Sequence, residues 1–273
     1  FVDWLAANAD SSAYTVVAGP DLDPERLRPG ETTLDSVHQF GADYYEVAGD
    51  TAVTAVFTGT QQVGLFPASA ASGSFVWMGY PADESAVSLT RAFDLGGVDA
   101  ATLTFNLWYE LEAGWDYGYT AVSTDAGQTW TLLETEAATR DNPQGNSIGP
   151  GYTGSSGGWL SQQADLTPFA GQEILVRFLV LTDTAVHETG LLVDDVAIPE
   201  IGFSDDMEDD ANGWQAAGFV RVTDVLPQKF IVQSLVIGQN GVTVIPMALN
   251  DQQGRLHLPA VGSGETRLLV VAG

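Results

Sequence analysis

Residues 174–180 read Ile174-Leu175-Val176-Arg177-Phe178-Leu179-Val180, and residues 102–105 read Thr102-Leu103-Thr104-Phe105. The first run is nearly all apolar and suits an inner strand of a sandwich; the second alternates with the period of a half-buried strand. Each follows an Asp-Leu turn and one apolar plug, Asp94-Leu95 with Val98 in one place and Asp165-Leu166 with Phe169 in the other. Outward from these two runs the same grammar repeats at 43–47, 52–58, 61–66, 75–79, 87–93, 118–123, 130–134, 159–165 and 190–198. Val, Thr, Phe, Tyr and Trp fill the runs, and Gly, Asp, Asn and Pro separate them. Many short strands with no helix between them predict two packed antiparallel sheets over residues 36–201.

The flanks read differently. Residues 1–9 carry Phe1, Trp4 and Leu5 on one helical face beside Ala6-Ala7, the tail of a helix whose body lies upstream. Pro20, Pro24, Pro29 and Gly30 make 18–36 a linker. After Pro199 the acidic stretch Asp205-Asp206-Met207-Glu208-Asp209-Asp210 interrupts the β pattern. A second series follows at 218–222, 230–237, 242–249, 255–258 and 267–271, with Asn240-Gly241 as a hairpin signal. The expected division is therefore 1–35 as helix tail and linker, 36–201 as a large β-sandwich and 202–273 as a smaller one, all-β apart from the helix remnant. The chain starts at Phe1 without a Met and closes on Leu268-Leu269-Val270-Val271, and it reads as a fragment or processed product.

Composition excludes several classes of function. Thirty-six acidic residues face nine basic ones, only Lys229 among them a lysine, for a net charge of −27 in 273 residues. Such a surface repels phosphate backbones, so nucleic acid is a poor partner. No apolar run approaches the roughly 18–20 residues of a membrane helix, and no signal-peptide pattern is present. With no cysteine there is no disulfide, thiolate metal site or cysteine nucleophile. A Cys-free chain is compatible with bacterial secretion, with calcium in place of disulfides as the cross-link.

The chemical motifs mostly resolve into structure. Ser123-Thr124-Asp125-Ala126-Gly127-Gln128-Thr129-Trp130 fits the Asp-box pattern S-x-D-x-G-x-T-W, in which Asp125 accepts backbone N–H groups, Gly127 supplies a positive φ and Trp130 plugs the hairpin into the core. His187-Glu188-Thr189-Gly190-Leu191 begins like H-E-x-x-H but ends in Leu191, so it cannot hold zinc as that motif does. Gly154-Ser155-Ser156-Gly157-Gly158 matches G-x-S-x-G inside a long Gly/Ser loop, without the strand and helix that a nucleophile elbow needs. Paired carboxylates (Glu110/Glu112, Asp83/Glu84, Asp194/Asp195, Asp205/Asp206) and the aromatics Trp77, Tyr80, Trp108, Tyr109, Trp115, Tyr117, Tyr119 and Trp159 leave a glycosidase or sugar platform formally open. Asp194-Asp195 stands out, because it lies inside an apolar strand where one of the two carboxylates must be buried and needs a partner. With so few cations, calcium is the expected counterion.

Together these residues resemble a known family. Residues 89–95, Ala101 to Phe105, Trp108-Tyr109, Trp115-Asp116-Tyr117-Gly118-Tyr119 and the Asp-box, then Asp141-Asn142-Pro143, Gly149-Pro150-Gly151-Tyr152, Gly158-Trp159 and Val193-Asp194-Asp195-Val196, resemble the region after the catalytic domain in secreted immune inhibitor A-like metallopeptidases. The likeness runs on through Pro199-Glu200-Ile201-Gly202, Gly213-Trp214 and Leu226-Pro227-Gln228. The resemblance implies a MAM-like jelly roll from about residue 40 to 200, an accessory β domain after it, and structural calcium held by Asp194, Asp195, Asp116, Asp83 and Glu84. It further implies an extracellular, non-catalytic region that serves an upstream catalytic domain or binds a glycan or protein surface. The alternative is a self-assembling subunit of an extracellular surface layer or filament.

Overall fold

The computed structural model describes residues 23–80, 82–239 and 241–273; the helix expected over residues 1–9 lies outside them. Among the described residues the chain is all-β, with single 3-10 turns at Thr167–Phe169 and Pro199–Ile201, and no helix is long and apolar enough to cross a membrane. The strands form two compact units, one of Gly64–Leu226 and one that joins residues up to Val63 with Pro227–Gly273.

Gly64–Leu226 is a β-sandwich. One sheet runs in the order Leu160–Asp165, Thr102–Glu110, Gly190–Ile198, Phe75–Gly79, Phe219–Thr223, with Phe203–Asp205 added beside Gly190–Ile198. The other runs Gln215–Ala217, Ala86–Asp94, Glu173–Leu181, Tyr117–Ser123, Thr131–Leu132. Neighbouring strands in both sheets pair antiparallel. Alternation aims Leu103, Phe105 and Leu107 of one sheet at Ile174, Val176 and Phe178 of the other, and all six are buried. Phe105 meets Phe178 edge-on, with ring centroids 5.0 Å apart, and Trp214 packs on Phe178 at 5.9 Å.

The chain passes from the second sheet to the first at Gly218, between Gln215–Ala217 and Phe219–Thr223. Its φ is +85°, and a Cβ there would stand 2.3 Å from Cγ1 of Val87, so glycine is required on both counts.

The boundaries differ from those expected. Residues 203–223 complete the larger sandwich rather than open the smaller one, because Phe203–Asp205, Gln215–Ala217 and Phe219–Thr223 all pair with its strands. The acidic stretch read as a break is a tether. Asp205 accepts the Trp214 indole N–H (2.9 Å) and the Met207 N–H (3.0 Å), while Glu208 Oε1 accepts the N–H groups of Ser74 and Phe75, each at 2.7 Å. Arg221 then donates to the carbonyls of Met207 and Glu208.

In the other unit a five-stranded sheet has the order Glu25–Leu27, Ala42–Val47, Thr266–Ala272, Ile231–Gly238, Gly241–Pro246. Glu25–Leu27, inside the stretch read as linker, pairs parallel with Tyr45–Val47. Leu249–Asn250, Gln253–Leu258 and Val53–Thr58 make a second, smaller sheet. Thus strands before residue 60 pair with strands after 250, against the expectation that they belong to the larger sandwich. Tyr45, Val232, Met247, Leu258 and Leu269 form a core of this unit. The expected hairpin is present, with Gly238 opposite Gly241. The guanidinium of buried Arg267 is held by the carbonyls of Ala48, Thr51 and Pro259.

Candidate metal centre

At one end of the larger sandwich the chain turns between Thr102–Glu110 and Tyr117–Ser123, and again after Glu173–Leu181. The first turn is closed by the N–H groups of Trp115 and Asp116, which both donate to the Glu112 carbonyl (3.1 and 3.0 Å). That turn puts the Glu112 and Asp116 side chains together, and Asp183 of the second turn joins them. Carboxylate oxygens of Glu112, Asp116 and Asp183 all lie within 4.8 Å of one another.

Asp116 is 1% exposed. Its Oδ1 accepts the Asp183 N–H at 3.0 Å, but its Oδ2 is buried with no hydrogen-bond partner. A buried carboxylate oxygen left without a donor carries a large desolvation cost. Burial, followed by the charges of Asp183, Asp116 and Glu188, raises the pKa of Glu112; burial above all raises that of Asp116. The corner therefore concentrates negative charge around an oxygen with nothing bound to it by the protein. Hard oxygen donors of this kind suit calcium or magnesium.

Of the residues picked from the sequence, Asp116 is in this cluster. Asp83 and Glu84 lie on a loop that touches the same end: Asp83 Oδ1 is 3.2 Å from His187 Nδ1, and Glu84 gives its backbone N–H to the Asp183 carbonyl. Their carboxylates are not part of the three-acid group.

Asp194 and Asp195 are elsewhere, and the structure answers their burial differently from the sequence expectation. The register of Gly190–Ile198 against Thr102–Glu110 shifts between Asp194 and Ala197, with Asp195 at φ +50°. Asp194 is fully buried, yet its Oδ2 accepts the N–H groups of Ala71 (3.0 Å) and Ser72 (3.1 Å), and its Oδ1 accepts that of Asp195 (2.8 Å). Burial still pushes its carboxyl up to about 7. Asp195 accepts the Ser72 hydroxyl at 2.7 Å and the Asn106 amide at 2.8 Å. Backbone and side-chain donors reach all four of these oxygens, and the pair ties the 71–72 loop to the sheet.

Glu112 was visible in the sequence only as one of several paired acids, and Asp183 not at all. The available signal was position: Asp183 follows the end of the Glu173–Leu181 strand, at the same end of the sandwich as the turn before Tyr117–Ser123.

The remaining motifs are structural. In the Asp-box, Asp125 accepts the Thr129 N–H (2.9 Å) and hydroxyl (2.6 Å) and the Ser123 hydroxyl (2.7 Å), which hold its carboxyl down at about 2. Gly127 has φ +88°. Trp130 does not enter the core: it lies half-buried under the Arg177 guanidinium, 3.8 Å from ring centroid to Cζ, because the short Thr131–Leu132 strand turns it to the outer face. Ser156 clips the Tyr109 backbone through its N–H and carbonyl. Trp77, Trp108, Tyr109, Tyr117 and Tyr119 are buried, which leaves Tyr80 and Trp115 exposed and Trp159 half-buried.

A family model described as "Immune inhibitor A-like, MAM domain" matches residues 57–224. The chain is 28% identical over 155 residues to the pre-pro-metalloprotease PrtV of Vibrio cholerae serotype O1 (strain ATCC 39315 / El Tor Inaba N16961), a stretch that makes up 56% of this chain and 16% of that protein. It is 31% identical over 122 residues to immune inhibitor A of Bacillus thuringiensis subsp. alesti, 44% of this chain and 17% of that protein. Bacillopeptidase F of Bacillus subtilis (strain 168) is 26% identical over 98 residues, 36% of this chain and 6% of that protein. The chain thus spans less than a fifth of the length of these relatives.

Proposed function

This chain belongs to the immune inhibitor A-like MAM-domain family, and from that premise we propose that it is a non-catalytic, calcium-stabilised extracellular region of a metallopeptidase-like protein. Its work is surface or substrate binding, or packing support for a catalytic domain. One observation carries the calcium: Asp116 Oδ2 is buried without a partner inside a group of three carboxylates. Glu112, Asp116 and Asp183 would hold the ion, which would neutralise the corner and cross-link two loops in a chain without disulfides. The accessory role rests on the family and on the motif record of this sequence, where H-E-x-x-H is broken at Leu191. An extracellular location fits the relatives and the absence of cysteine.

The test is metal analysis of the purified protein together with thermal melts in calcium, magnesium and excess EGTA. Bound calcium and a melting temperature that EGTA lowers and calcium, not magnesium, restores support the reading. No metal and identical melts would sink the calcium role. Regular fibres or sheets of concentrated protein under the electron microscope would instead favour the surface-layer alternative.

A further inference from the structure

On the sheet that contains Glu173–Leu181, the residues Ile174, Val176, Phe178 and Val180 are buried, so Arg177 stands on the opposite, outer face. Its Nε donates to the Thr90 hydroxyl of the adjacent strand at 2.9 Å, and Trp130 of the Asp-box lies against its guanidinium plane. These contacts fix the fork but bring no negative charge. Among the described residues no carboxylate pairs with Arg177, although the chain has 36 acids for nine cations. Four other arginines are held by the protein: Arg26 by Glu46, Arg140 by Glu134, and Arg221 and Arg267 by backbone carbonyls. Burial lowers the pKa of Arg177, with no acid to oppose it.

Arg177 lines a groove of about 640 Å³, within the size range of small-molecule sites. Ser88, Thr90 and Gln215 line it with hydroxyl and amide groups, and the Asp-box turn at Ala126 and Gly127 forms part of its wall. Arg91 also lines it, but it stands opposite buried Val176 and its guanidinium lies on the inner face over the rings of Phe203 (4.5 Å), Phe93 and Trp214. Arg177 is therefore an outward-facing cation without a carboxylate partner in a groove of a chain with a net charge of −27.

We infer that this groove binds a sugar bearing a single carboxylate. The Arg177 fork, already oriented by Thr90 and Trp130, would take the carboxylate through its free Nη groups, and the hydroxyl and amide rim would take ring hydroxyls. The acidic field of the whole chain disfavours a polyanion such as an acidic peptide. The inference deepens the binding role proposed above but does not depend on calcium, since no residue of the groove belongs to the three-acid corner.

The test is isothermal titration of the protein with 3′-sialyllactose and with cellobiouronic acid, each beside its neutral counterpart, lactose and cellobiose, and with pentaglutamate. Saturable binding of at least one acidic sugar is expected, at least tenfold tighter than its neutral counterpart and at least tenfold weakened in R177Q. Ala92 is exposed and lines the groove one strand away, so A92E sets a carboxylate beside Arg177 without disturbing the core and should compete with the sugar to the same extent. No binding of either acidic sugar, equal binding of the neutral ones, undiminished binding in A92E, or saturation by pentaglutamate instead would overturn the inference. Any of these would leave the calcium-dependent melt, and the reading it supports, intact.

Discussion

Asp116→Asn is the substitution that most directly interrogates the acidic corner. The amide keeps an oxygen to accept the Asp183 N–H, now made to Oδ1 at 3.0 Å, but replaces the unpartnered Oδ2 by an NH₂ that cannot ligate a cation. A cation that binds only the folded chain at a hundredfold excess over its dissociation constant adds about 2.7 kcal/mol. At about 2–4 °C per kcal/mol for a domain of this size, calcium should raise the parent's melting temperature by about 5–11 °C. In D116N that rise should shrink to about 2 °C or less. In EGTA, D116N should be no less stable than the parent, because one of three crowded like charges is gone. D194N is the control: three backbone N–H donors already occupy the Asp194 oxygens, so this variant should keep the full calcium response whatever its basal stability. Scanning calorimetry of all three proteins in calcium and in EGTA decides the matter. A full calcium response in D116N, or its loss in D194N, would refute the placement of the ion and return it to the Asp194-Asp195 pair.

Three further outcomes are expected. Burial raises Asp194 from 3.8 to about 7, so the folded chain keeps a proton there that the unfolded chain releases; the contribution is complete below about pH 4, declines as pH rises to about 7 and is flat above. Between pH 5 and 7 the stability of D194N should therefore gain on the parent by on the order of 2 kcal/mol in urea unfolding, and a gap independent of pH would contradict the raised pKa. The Tyr152 hydroxyl lies 3.0 Å from both the Thr120 and Thr135 hydroxyls, all buried, and Y152F should cost about 1–3 kcal/mol, seen as a lower melting temperature. A chain of residues 64–226 should melt cooperatively, whereas one of 64–201 should not, since it lacks three strands and Trp214; equal cooperativity would return the boundary to residue 201.

Much of the local structure was legible. The strands Phe75–Gly79 and Gly190–Ile198 fall where the residue pattern placed them, and most of the others differ by one residue at one or both ends. Alternation and β-branched runs act within a few residues, so no knowledge of the partner strand is needed to read them. The same holds for the Asp-box, whose hydrogen bonds all close within four residues. Its Trp130 was misread because which face a hairpin residue takes depends on how its strand meets the sheet, and Thr131–Leu132 is only two residues long.

Composition and local pattern alone thus determined an all-β chain with no cysteine chemistry, an excess of uncompensated acid and the strands of a sandwich. Tertiary structure alone decided which strands share a sheet and which acids share a corner. Ala42–Val47 pairs with Thr266–Ala272 across most of the chain, and Asp194 finds its N–H donors at Ala71 and Ser72, more than 120 residues away. The physical reason is the same in each case. A strand's alternation specifies that one face must be buried but carries no label for the strand that will bury it. A buried carboxylate likewise specifies that it needs donors or a cation, and only the fold determines which of the two lies within reach.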